Sequence, residues 1–150
     1  EELDGLEDYI YLQQMRFDGR ITVEKQILVD PARARLPSFT LQPVIENAFS
    51  HGLKACEEGG RILLRVWRQG RMLYVTVADN GKGMTEEELA ALSEKMRQSE
   101  QTGKSIGLGN IFRRVSMLYP DTGKMQVFSR AGHGTVIRFE IPQGEEEERA

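Results

Sequence analysis

The chain has 150 residues, 39% of them hydrophobic and 29% charged, with a net charge of −3. That is the size and make-up of one domain able to bury a core, and the acidic balance argues against a general nucleic-acid or membrane-surface binder. Cys56 is the single cysteine, which excludes an internal disulfide and suits a reducing, cytoplasmic setting.

In chain order, Leu3, Leu6, Ile10 and Phe17 fall at helical spacing with acids early and Arg16 late, as a helix dipole prefers. Ile21, Val23, Ile27 and Val29 alternate as a strand that ends at Asp30-Pro31. Leu41, Val44, Ile45, Ala48 and Phe49 define an amphipathic helix stopped by Gly52. Ile62–Arg68 and Met72–Asp79 alternate as two strands around a Gln69-Gly70 turn. Residues 86–97 predict a helix, and Gln98–Ser105 a polar, mobile segment. Leu108, Ile111, Phe112, Val115 and Leu118 mark another amphipathic helix, and Met125–Arg130 with Thr135–Ile141 a hairpin around "AGHG". Helices packed on one face of such a sheet make an α+β two-layer sandwich. No apolar run is long enough to cross a bilayer and no signal-peptide pattern occurs. The chain opens at Glu1 without a methionine, so a piece of a longer protein is expected.

Three stretches carry chemistry. "TGKSIGLGNIF" (Thr102–Phe112) is rich in glycine and holds a Gly-Lys-Ser. It is no P-loop, because Gln98 stands where that motif needs glycine and no strand precedes it. Nor is it a dinucleotide fingerprint, because Phe112 replaces the third glycine. What remains is a glycine turn opening a helix, whose free N–H groups attract phosphate; alone, it reads rather as a flexible surface loop capping a core helix. "DNGKGM" (Asp79–Met84) ends a strand on which Leu73, Val75, Val77 and Asp79 share one face. A carboxylate extending an apolar row needs a donor, and an adenine amino group would serve. Asn80-Gly81 is also a hairpin signal, but Thr85 and Glu88 form a capping box, so a helix follows rather than a strand. "LQPVIENAFSHGL" (Leu41–Leu53) carries Gln42, Glu46 and Ser50 in one polar stripe and Asn47 and His51 in another. An asparagine carbonyl suits Mg²⁺, which completes its shell with water and phosphate; an ordinary solvent-facing side is the plain alternative.

In this order the motifs resemble the GHKL ATP-binding fold shared by gyrase, a heat-shock chaperone, sensor histidine kinases and a mismatch-repair protein. "LQPVIENAFSHG" with "SIGLGNIFRRVSMLYP" is most similar to histidine kinases of the autolysis-sensor (LytS/YesM-type) branch, over roughly residues 4–142. The resemblance implies a Bergerat-type sandwich whose mixed, mostly antiparallel sheet bears helices on one face, binding ATP with Mg²⁺. It implies Asn47 as the metal ligand, Asp79 on the adenine amino group, Gly81 and Gly83 shaping the base pocket, and Thr135 supporting it. His51, Met84 and Leu108 are expected at the nucleotide, Gly107 and Gly109 at its phosphates, and a lid from about Met84 to Ile106. Pro43 stands where many relatives carry Glu or Asn, which leaves Glu46 (or Gln42) as the base. Ser50 replaces a frequent lysine, for which Lys54, Lys104 or Arg113 would substitute, and Ser105 replaces a glycine.

The same resemblance implies residues 1–17 as the end of a dimerisation or linker helix, 18–142 as the ATP-binding catalytic domain, and 143–150 as an acidic, disordered tail. His51 and His133 both fall within the nucleotide-binding part, so the phosphoacceptor histidine is expected on a helix outside this chain. The phosphoryl group would pass on to a response-regulator receiver aspartate. The parent kinase is expected to be a homodimer anchored in the bacterial cell membrane, with this domain cytoplasmic and no direct nucleic-acid contact. The alternatives are a degenerate GHKL regulatory module without phosphotransfer, or a GHKL serine kinase or ATPase.

Overall fold

The computed structural model describes residues 2–16, 21–30, 34, 41–49, 59–102 and 107–143, with the backbone alone at 2–6, 98–102 and 107. The elements are α1 (Glu2–Arg16), β1 (Ile21–Ile27), α2 (Leu41–Asn47), β2 (Gly60–Gln69), β3 (Met72–Asp79), α3 (Glu86–Thr102), α4 (Gly107–Leu118), β4 (Lys124–Arg130) and β5 (Gly134–Pro142). The five strands form one sheet in the order β1-β2-β3-β5-β4. Only β1 pairs in parallel, with β2; the other three pairings are antiparallel. A mixed, mostly antiparallel sheet was expected and is found.

Strand alternation puts every second residue on the helix side. Ile62, Leu64 and Val66 of β2, Leu73, Val75 and Val77 of β3, and Ile137, Phe139 and Ile141 of β5 are buried there. Leu41, Val44, Ile45 and Phe49 from the α2 segment and Ile111 and Val115 from α4 cover them. Ile10 anchors α1 on the same core, and a 2.8 Å ion pair joins Glu7 to Lys25 of β1. The opposite face carries Trp67 stacked on Tyr74 at 5.3 Å, with the guanidinium groups of Arg65 and Arg138 over the two rings.

Three sequence expectations need correction. The helix expected over 86–97 runs on to Thr102, through residues read as mobile, because no glycine or proline interrupts it before Gly103. Leu118, assigned to the apolar stripe of α4, is 55% exposed, since the helix ends there and leaves the sheet. The strand expected to reach Val29 ends at Ile27, although Leu28 still donates its N–H to the Val66 carbonyl at 2.8 Å. The helix stop expected at Gly52 lies outside the described residues.

Candidate functional site

Asp79 is the last residue of β3, and its position in the ladder decides what surrounds it. Ile62, Asp79, Thr135 and Ser129 stand side by side across β2, β3, β5 and β4 on the helix-facing side. They form the outermost row of the core, where apolar side chains give way to polar ones. Beyond β3 the chain makes an Asx turn: the Gly81 N–H donates to Asp79 Oδ1 at 2.8 Å. Burial pushes the Asp79 carboxyl above its ordinary range, while the backbone N–H groups of Gly81 and Thr135 pull it partly back. Asn80 turns away and staples the start of β2, accepting the Arg61 N–H at 2.7 Å and donating to the Gly59 carbonyl at 2.9 Å.

The loop from Asp79 to Met84 is pressed onto the β4–β5 turn. Gly132 donates its N–H to the Lys82 carbonyl at 2.7 Å, and Met84 donates its N–H to Ser129 Oγ at 2.8 Å. Gly83 has φ +66°, and a Cβ there would collide with the Arg130 carbonyl oxygen, so neither the conformation nor the space admits a side chain. A Cβ on Gly134 would likewise meet the Asp79 carbonyl oxygen. The next residues form the expected capping box: Glu88 donates its N–H to Thr85 Oγ1 at 3.1 Å and accepts the Thr85 N–H at 2.9 Å. The Thr85 N–H first, and the Thr85 hydroxyl second, hold the Glu88 carboxyl below its ordinary range.

Between this loop, α3, the end of α2 and the start of α4 lies a cavity of about 270 Å³ lined by Asn47, Asp79, Lys82, Gly83, Met84, Glu88, Leu92, Leu108 and Thr135. Six residues singled out from the sequence thus meet: Asn47, Asp79, Gly83, Met84, Leu108 and Thr135. Gly81 supports Asp79 from behind the lining, Gly107 opens α4, and Gly109 is buried in its first turn. Glu46 is not among the lining residues; it is exposed on α2, and Tyr9 of α1 donates to its Oε2 at 3.4 Å. Burial first, and the Glu46 carboxylate second, push the Tyr9 hydroxyl up to about 12. His51, Ser50, Lys54, Lys104 and Ser105 lie outside the described residues, as do 103–106 of the expected lid.

Lys82, Glu88 and Leu92 line the cavity without having been singled out as ligand residues. Lys82 sits inside "DNGKGM" and was the one signal available, a cation between two pocket glycines. Among the described residues no group of three or more His, Cys, Asp or Glu could hold a metal ion. A hard cation here would rest on the Asn47 amide oxygen and draw its remaining ligands from phosphate and water, which that side chain fits.

The sequence profile of the histidine kinase-, DNA gyrase B- and HSP90-like ATPase family matches residues 38–145. The chain is 33% identical over 142 residues to the sensor histidine kinase YpdA of Escherichia coli (strain K12), covering 95% of this chain and 24% of that protein. It is 30% identical over 142 residues to the sensor protein kinase HptS of Staphylococcus aureus (strain USA300), covering 95% and 27%. The chain therefore spans about a quarter of the length of the curated relatives it matches. The nucleotide-free catalytic domain of the histidine kinase ThkA superposes with a TM-score of 0.61 at 22% identity, over 98% of this chain and 96% of that one. The chain belongs to the histidine kinase-, DNA gyrase B- and HSP90-like ATPase family. Within it, this is an ATP-binding domain of the sensor histidine kinase kind.

Proposed function

We propose that the cavity holds ATP with Mg²⁺ and that the domain presents the γ-phosphoryl group to a histidine on a helix outside this chain, for relay to a receiver aspartate. The observation that carries this is the pairing of Asp79 and Thr135 across β3 and β5 in the wall of a cavity whose lining also includes Asn47 and Lys82. The carboxylate accepts the adenine amino group, Met84, Leu92 and Leu108 contact the base's flat faces, and Gly81 and Gly83 leave room for it. The N–H groups opening α4 at Gly107 and Gly109 receive phosphate, with Lys82 as a cationic neighbour. Asn47 supplies the protein oxygen for Mg²⁺, which neutralises phosphate charge when bound. His51 is assigned to the same site by its motif position.

Transfer forms a bond from an imidazole nitrogen to phosphorus as the bond to the ADP oxygen breaks, which asks for positioning and charge neutralisation more than covalent help. Glu46 is the candidate to accept the imidazole proton. We place this domain in a longer, homodimeric kinase anchored in the bacterial membrane, with α1 closing the link from the phosphoacceptor helix. Among the described residues no helix is long and apolar enough to cross a membrane.

The test is calorimetric titration of ATP and ADP, with and without Mg²⁺, into this chain and its Asp79→Ala variant. Affinity that depends on Mg²⁺ and falls at least tenfold in the variant, roughly one charge-assisted hydrogen bond, supports the reading; binding indifferent to Asp79 sinks it. A second reading, nucleotide binding without transfer, is favoured by Glu46 engaging Tyr9 away from the cavity. Histidine labelling of the longer protein by γ-labelled ATP separates the two.

A further inference from the structure

Ser129 lies outside the cavity lining, yet its hydroxyl touches three groups that shape the site. It accepts the Met84 N–H at 2.8 Å, donates to the Gly134 carbonyl at 3.0 Å, and contacts Thr135 Oγ1 at 2.8 Å. A serine hydroxyl has one proton and two lone pairs. The Gly134 carbonyl can only accept, so the three contacts are all hydrogen bonds in one arrangement alone, with the Ser129 proton on Gly134. The contact with Thr135 then requires the threonine to be the donor. Thr135 thus spends its proton on Ser129 and turns only lone pairs toward the cavity. Its neighbour Asp79 is likewise an acceptor, and Oδ1 is already occupied by Gly81.

We propose that Ser129 is a specificity-determining positioning residue: by fixing the Thr135 proton it makes the Asp79–Thr135 side of the cavity acceptor-only, selecting a 6-amino purine over a 6-oxo purine. This rests on the nucleotide reading above. An adenine amino group, or a water that relays it, offers protons to both acceptors. The O6 of hypoxanthine or guanine offers lone pairs to lone pairs, and a site built for a donor discriminates strongly against a ligand lacking it. Through Met84 the same hydroxyl fixes the residue from which the loop enters α3, so base recognition and the root of that helix share one atom.

The experiment titrates ATP and ITP into the wild type, Ser129→Ala and Ser129→Thr, with thermal melts as a folding control. Wild type is expected to prefer ATP. In Ser129→Ala the Thr135 hydroxyl is free to rotate and donate to O6, so the ATP-to-ITP affinity ratio is expected to shrink about tenfold, the worth of one hydrogen bond. Ser129→Thr keeps the hydroxyl and is expected to keep the ratio. Thr135→Val, which tests the same contact from the other side, is expected to shrink the ratio, and adding Ser129→Ala to it to change nothing further. A ratio in Ser129→Ala or Thr135→Val within twofold of wild type overturns the inference while leaving nucleotide binding intact. No ATP binding by the wild type overturns the nucleotide reading, and this inference with it.

Discussion

The carboxyl of Asp79 is held above its ordinary range chiefly by burial, so the folded chain binds that proton more tightly than the unfolded one. The sign follows: the stability this group contributes is fully present below the unfolded carboxylate's titration and is lost as pH rises through the higher folded value. Above that value the folded chain carries a partly buried charge that the Gly81 and Thr135 N–H groups offset only in part. Asp79→Asn is therefore expected to melt higher than wild type at pH 7, with the difference closing as pH falls toward 3, while its ATP affinity drops at least tenfold; melts across pH and a titration check both. Glycines separate in the same way by surroundings. Gly70 has φ +63° with open space around it, so Gly70→Ala is expected to cost only the left-handed backbone term, about 1–2 kcal/mol. Gly83→Ala adds a collision with the Arg130 carbonyl and is expected to cost more and to weaken nucleotide binding, which urea denaturation and titration of both variants would show.

At the scale of elements, α3 is started by two reciprocal bonds. Thr85→Ala is expected to cost about 1 kcal/mol and to loosen the helix beside the cavity, read as faster amide exchange at Glu86–Leu89. Because Glu88 titrates below its ordinary range, its support of the cap is present above the unfolded carboxylate's titration and lost as pH falls through the folded value. Protection factors in that first turn, corrected for the intrinsic exchange rate, are therefore expected to fall in acid in wild type and to be less pH-sensitive in Glu88→Gln. This box was legible in the sequence because both partners lie within four residues. So was the Asp79 row, since alternation alone aligns it with Val77 and Val75. The roles of Leu92 and Ser129 were not legible in the same way. Leu92 reaches the cavity only because α3 packs against α4, and helix packing leaves no local spacing to read. Ser129 did leave a trace: it and Thr135 are equidistant from Gly132 of the "AGHG" turn, which pairs their hydroxyls once the hairpin register is known. Glu46 shows the converse, a residue whose stripe was read correctly as polar while its partner, Tyr9, lies 37 residues earlier in the chain.

For the whole molecule, a sheet with its helices on one side has one core, and β5 lies in it next to the central strand β3. Phe139 is fully buried there between β3 and β4. Phe139→Ala is expected to cost about 3–5 kcal/mol, a large share of the roughly 5–15 kcal/mol that holds such a domain folded. Tyr74→Ala, on the face away from the described helices, is expected to cost distinctly less; urea midpoints of the two variants make the comparison. That second face has an optical consequence. Trp67 is the chain's single tryptophan, and it lies across the sheet from the cavity, against the Tyr74 ring and beneath the Arg65 guanidinium. Its fluorescence emission will follow loss of the β2–β3 pairing and stay nearly constant when a ligand fills the other side. Intrinsic emission is thus a clean reporter of unfolding for every variant above, whereas an optical signal for the ligand must come from a dye placed on α3 or from the nucleotide itself.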